Sequence, residues 1–286
     1  MASIRDYASL VRFSHSVFAL PFALLALLVA TGGRPSARLL LLAVLAVIAA
    51  RTSAMAYNRY ADRDVDARNP RTRGREIPRG AVSARSALWL SIGSGAVFLA
   101  ACALLSPLCL AFGVPVWLWL LGYSHCKRFS SLSHLWLGTA LGLSPVGAWL
   151  AADGAMSSRL LAPLALGAGV ACWVAGFDIL YACQDLSFDR EAGLYSVPRR
   201  FGPARSFAIA RGLHGSAVLL FALFGAICSL GSIFLGSVAL AALALVWEHR
   251  LLSPDDLSRM QHAFFTANAI VSLAVLAGGG LALYVG

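Results

Sequence analysis

Successive runs of about twenty apolar residues leave very few folds open to this chain. In hydrocarbon every backbone amide and carbonyl must find its partner inside the protein, which admits only α-helices and closed barrels. Nine runs are read as crossings, the fourth of them short and carrying Pro115: 13–31, 38–57, 86–105, 108–123, 134–151, 160–181, 206–228, 231–247 and 263–284. None alternates polar with apolar residues as a barrel strand does. A chain that is 59% apolar and only 13% charged, with mean hydropathy +0.76, carries more oil than a soluble core needs. The reading is an all-α membrane protein with nine transmembrane helices.

Charge placement orients it. All but Arg34, Arg38 and Arg159 of the 23 basic residues precede the first run or flank the connections from even to odd runs. Basic loops face the cytoplasm, so the polar connections belong there. The acids follow, with Asp153 alone on the far face, a bias topology does not require. The net charge of +10 is therefore a membrane signature, and no nucleic acid is implied. The six cysteines lie mostly in apolar runs without a CxxC pair, which speaks against zinc and against a disulfide framework.

One polar stretch interrupts the oil with order. In NRYADRDVDARNPRTRGREIPRG, Asn58, Asp62 and Asp66 recur every fourth residue and form one stripe on a helix. Two carboxylates at that spacing repel where water is scarce, and a divalent cation between them relieves the repulsion. Few hard oxygen ligands suit Mg²⁺ that keeps waters and shares a substrate phosphate. The arginines that follow (Arg68, Arg71, Arg73, Arg75, Arg79) suit phosphate oxygens, although basic loops also serve topology. A second constellation, DILYACQDLSFD, puts Asp178, Asp185 and Asp189 on one helical face with Tyr181 beside it. An Asp inside an apolar helix costs roughly 2.5–3.5 kcal/mol on insertion scales, so Asp178 needs a partner or a task. The third insert, Tyr123 to Arg128, offers Lys127 and Arg128 as interfacial anchors or as a grip on diphosphate. Gly138 and Gly142 read as a helix-packing pair, and His15 as a hydrogen-bonded packing residue of the first run. His262 and Asn268 carry no readable signal.

The constellations repeat. Pro78-Arg79 with Ala84-Arg85-Ser86 is answered 120 residues later by Pro198-Arg199 with Ala204-Arg205-Ser206, and Asp62/Asp66 by Asp185/Asp189. One domain over residues 1–286 is expected, built from two related halves (about 13–123 and 134–247) and a final helix 263–284. Facing halves would bring the acids to a shared cavity.

At these residues the chain resembles the UbiA superfamily of intramembrane prenyltransferases. NxxxDxxxD is met by Asn58, Asp62 and Asp66; DxxYxxxDxxxD by Asp178, Tyr181, Asp185 and Asp189; YxxxKR by Tyr123, Lys127 and Arg128. The loop RTxxRxIPxG appears as Arg71 to Gly80. The resemblance implies nine helices around a central cavity capped by polar cytoplasmic loops, in a bacterial inner membrane. It implies a polyprenyl diphosphate bound through Mg²⁺ held by Asn58, Asp62, Asp66, Asp185 and Asp189. Arg63, Lys127 and Arg128 would contact the diphosphate or an aromatic carboxylate, with Arg75 and Tyr123 also binding and with Asp178 and Tyr181 supporting the second motif. The activity expected is prenyl transfer to a 4-hydroxybenzoate-type acid in ubiquinone biosynthesis, with a dihydroxynaphthoate of menaquinone biosynthesis as the alternative acceptor. An ion-coupled transporter shares the repeats and the membrane acids, but its acids would sit at the midplane.

Overall fold

The computed structural model describes residues 3–12 and 18–285. After a short surface helix α1 (Ile4–Leu10) come α2 (Leu20–Ala30), α3 (Ala37–Ala61), the one-turn α4 (Arg63–Arg68), α5 (Ala84–Leu105), α6 (Pro107–Cys126) and α7 (Ser133–Asp153). The second part holds α8 (Leu161–Ala182), the short α9 (Leu186–Glu191) and α10 (Val197–Phe201), then α11 (Pro203–Ile227), α12 (Gly231–Leu251) and a last helix, Met260–Val285. Among the described residues eight helices are long and apolar enough to cross a membrane. The first expected run appears as the shorter α2, and its opening part, with His15, lies outside the described residues. Helix α2 is enclosed: Phe22, Leu25, Ala26 and Leu27 are fully buried, packed against α7 and the last helix.

Local chemistry places the ends. Ser36, Ser83 and Ser106 each accept a backbone N–H two or three residues on, starting α3, α5 and α6 with satisfied donors. Pro107 follows its cap at the first helical position, where its missing N–H costs nothing. Gly154 ends α7 with φ +69°, a conformation L side chains avoid. Pro115 and Pro145 sit inside α6 and α7, which run on past them.

Helix pairs α3–α5, α7–α8, α8–α11 and α12–last helix carry the main contacts. Between α7 and α8 the backbones touch. A Cβ at Gly138 would meet the Ala171 carbonyl, and one at Gly142 the Gly167 carbonyl. With lipid as apolar as any side chain, such close approach is what holds membrane helices together. The last helix carries a π-turn over Ala263–Ala267. Asn268 serves it by donating to the Phe264 carbonyl (2.8 Å) and to Glu248 Oε1 (3.1 Å) while accepting from Trp173 Nε1 (2.6 Å).

An apolar chamber of about 510 Å³ is left open on one side of this core. Its walls run from Ala43 to Asn58 on α3, Cys109 to Tyr123 on α6, Leu137 to Ala151 on α7 and Leu164 to Asp178 on α8. Each stretch is fifteen or sixteen residues, about 21 Å at the helical rise. Small residues such as Ala43, Ala46, Gly113 and Gly147 keep the space clear.

Gly142→Leu should destabilise the protein by about 1–3 kcal/mol, because a backbone carbonyl cannot yield to the new side chain. Gly147→Ala, whose Cβ meets nothing within 4 Å, should leave the unfolding temperature in detergent unchanged.

Candidate active site

Both acidic constellations end on the same side of the bundle, where α3 and α8 break. Asp62 ends α3 at φ −96°, ψ 2° and begins α4; Asp185 closes a 3₁₀ turn after α8 at φ −98°, ψ 5° and begins α9. The expectation of one continuous helical stripe is corrected here. Each run leaves its transmembrane helix at or just before its middle member, Asp62 or Asp185, and resumes in a one-turn helix, so the last two acids of each are re-aimed over the chamber mouth.

There they meet. Asn58, Asp62 and Asp66 line one polar chamber of about 190 Å³ together with Asp178, Tyr181, Asp185 and Asp189. Asp62, Asp66 and Asp189 are buried, and buried charge needs partners. Asp62 accepts from Lys127 Nζ (2.6 Å), Asn58 Nδ2 (3.0 Å) and Arg128 Nη2 (3.2 Å). Arg75 Nη1 lies 2.8 Å from both oxygens of Asp66. The loop after the first motif crosses to the second: Arg71 grips Asp185 through Nε (2.8 Å) and Nη2, and Asn69 donates to the same carboxylate at 3.0 Å. Burial opposes charge on Arg71, but the hydrogen bond and negative charge of Asp185 outweigh it and raise the guanidinium pKa above its ordinary value. Arg71 also donates to the Tyr181 hydroxyl (3.0 Å) and lies over its ring.

Not every expected residue joins this group. Arg63 donates to the Tyr60 carbonyl (2.9 Å), lies over the Tyr60 ring and faces Asp64, away from the chamber lining. It begins α4 beside Asp62, and one step along the helix turns it outward by about 100°. Arg128 touches Asp62, yet it also clamps the Ser124 and Ala61 carbonyls at 2.6 and 2.8 Å, tying the ends of α6 and α3 together. Arg79 pairs with Asp6 on α1.

Three residues line the polar chamber and the apolar one alike: Asn58, Tyr123 and Asp178. Asp178 Oδ2 lies 2.7 Å from His134 Nδ1 on α7. His134 Nε2 accepts the Val197 backbone N–H at 3.3 Å, so in the neutral ring Nδ1 carries the proton and donates it to Asp178. His134 and Asn69 escape a reading by spacing, because their partners lie 44 and 116 residues further along the chain. Arg51 escapes it too. It lines the apolar chamber and donates to the Val11 carbonyl at 2.8 Å.

Fold and site define a polytopic membrane protein with an acid- and base-lined head chamber set above an oily one. Comparison with known proteins agrees. Residues 19–270 match the UbiA prenyltransferase family, and the chain belongs to it. It is 31% identical to a 4-hydroxybenzoate octaprenyltransferase of Xanthomonas euvesicatoria over 262 residues, covering 91% of this chain and 82% of that one. It is 30% identical to one of Aromatoleum aromaticum over 252 residues, covering 88% and 84%. Its structure matches the apo structure of a UbiA homolog from Aeropyrum pernix with TM-score 0.84 and 36% identity, over 92% of this chain and 96% of that one. The fold also matches that of a UbiA homolog from Archaeoglobus fulgidus bound to GPP and Mg²⁺ (TM-score 0.70, 21% identity, 98% and 99% covered).

The geometry separates two neighbouring cations. Lys127→Ala should raise the KM for a prenyl diphosphate at least tenfold, since it leaves a buried carboxylate short of its nearest cation. Arg63→Ala, measured in the same membranes, should raise it much less.

Proposed function

We propose that this protein transfers a polyprenyl group from polyprenyl diphosphate to an aromatic acid of the 4-hydroxybenzoate type, releasing diphosphate, with Mg²⁺ as cofactor. The observation that carries the reading is the union of the two chambers at Asn58, Tyr123 and Asp178. A prenyl diphosphate has the same two parts, and its reactive carbon lies where they join.

The residues fit Mg²⁺ by donor chemistry. Five carboxylates and the amides of Asn58 and Asn69 face one chamber, all offering hard oxygen donors. As arranged, no three acidic, histidine or cysteine side chains among the described residues stand close enough to hold a metal alone. Lys127, Arg71 and Arg75 occupy the carboxylates instead. That suits an ion arriving with the diphosphate's own oxygens, while the three cations turn from carboxylate to phosphate. Asn58, Asp62, Asp66, Asp185 and Asp189 would hold the ion. When bound, it supplies charge neutralisation for the departing diphosphate.

The chain's own residues do the rest. The walls of α3, α6, α7 and α8 keep the tail and the allylic cation away from water. Lys127, Arg71 and Arg75 meet the negative charge that grows on the leaving group. Arg51 is the one cation lining the apolar chamber among the described residues, and its guanidinium suits the acceptor's carboxylate. The placement of basic residues supports a site on the cytoplasmic side of a bacterial inner membrane. The recurring motifs, each broken at its middle member with near-equal φ and ψ, support descent of one domain from two related halves plus a last helix.

Asp62→Asn and Asp185→Asn should each lower prenyl transfer in Mg²⁺-containing membranes by a hundredfold or more, as expected for charge stabilisation of a leaving group. Retained activity in either would contradict a shared site. Arg51→Ala should raise the KM for the aromatic acid about tenfold or more and leave that for the prenyl diphosphate nearly unchanged, the signature of a lost bidentate ion pair. Mass spectrometry of products from a panel of aromatic acids and a dihydroxynaphthoate identifies the ring.

A further inference from the structure

Electrophilic attack on an aromatic ring leaves one proton to be removed, and the arrangement around Asp178 shows where it goes. The other acids of the head chamber are poor candidates. Asp62, Asp66 and Asp185 line the head chamber alone, each engaged by a lysine or arginine, and are assigned above to the metal ion. Asp189 lines the head chamber only. Of the three residues that face both chambers, Asn58 is an amide and Tyr123 a phenol, which leaves Asp178 as the one carboxylate.

Its surroundings suit a base. One oxygen, Oδ2, takes its hydrogen bond from His134; the other, Oδ1, makes none among the described residues, and the side chain is 24% exposed. His134 is itself buried (5% exposed) and is oriented by the Val197 N–H, so it donates as a neutral ring. A neutral donor fixes the carboxylate without cancelling its charge. The arrangement is the buried-histidine, half-open carboxylate of a base that has to be aimed.

We infer that Asp178 is the general base that rearomatises the prenylated ring, with His134 as its positioning residue. The inference rests on the proposed aromatic acceptor. The C1–O bond of the prenyl diphosphate breaks with its electron pair leaving on diphosphate. A ring carbon beside the acceptor's hydroxyl then bonds to C1. The proton on that carbon passes to Asp178 Oδ1, the C–H pair restores the aromatic ring, and the protonated Asp178 returns its proton to water in the head chamber.

The test compares protonated with ring-deuterated acceptor. In the parent enzyme the two should react at the same rate, since ionisation of the diphosphate is the slower step. Asp178→Asn should lower kcat about a hundredfold or more, with the KM for prenyl diphosphate unchanged, and should acquire a ring-deuterium isotope effect of about threefold, because proton loss has become limiting. His134→Phe should lower kcat about tenfold with the same isotope effect, and His134→Gln, which keeps a donor, should recover part of the rate. A role in packing alone would produce no isotope effect. If Asp178→Asn does not fold, Asp178→Glu displaces the same carboxylate by one methylene and should show the effect in milder form. Asp178→Asn with kcat within threefold of the parent, or with a lost rate and no isotope effect, would overturn the inference and give the proton to diphosphate. A parent enzyme that prenylates no aromatic acid overturns the acceptor assignment and this inference together; an active parent with an indifferent Asp178→Asn overturns this one only.

Discussion

Charge held at the edge of hydrocarbon governs this structure. Carboxylates from two distant segments share one small chamber, and an unpaired ion there would cost several kcal/mol. Each of Asp62, Asp66 and Asp185 is met by a cation brought from elsewhere: Lys127 from the end of α6, Arg75 and Arg71 from the loop between α4 and α5. That loop has the length it has because it must return one guanidinium to its own motif and carry another across to the second. The network holds the ends of α3, α6 and α8 in register. It also stands ready to give its cations to a more strongly charged anion.

The oily chamber follows from a different rule. Bulky residues fill the opposite half of the bundle, where Trp173, Phe221, Phe224 and Phe234 are fully buried. On the open half, alanines and glycines such as Ala43, Ala46, Gly113 and Gly147 stand among leucines and phenylalanines. Small residues at these turns leave room that the packed half fills with aromatic rings. Where the open half reaches the ion-paired ends, three side chains belong to both environments, and the chemistry concentrates at that seam.

Much of this was legible along the chain. The helices α3, α5 to α8, α11, α12 and the last one each lie within a few residues of an apolar run, because a run of oil long enough to cross must be helical. The fourth run is short and carries Pro115, yet α6 continues through it, as membrane helices tolerate. The acids were visible through their fourfold and sevenfold spacing, and Lys127 through the polar insert that ends the fourth run. Arg63 was not readable in the same way: its neighbour Asp62 marks a helix break, and the rotation at that break turns it outward. His134, Asn69 and Arg51 carry no spacing signal, since each answers a group far away in sequence or a backbone carbonyl.

The sequence by itself determined the membrane class, the number of crossings to within one short helix, and the list of acids, because hydrophobic length and residue period are local properties. Only the tertiary structure decided which cation answers which carboxylate, that both motifs bend at their middle member, and that Asp178 and His134 meet where head and tail spaces join. Those are contacts between helices, and their partners are chosen by packing geometry that no single stretch of chain contains.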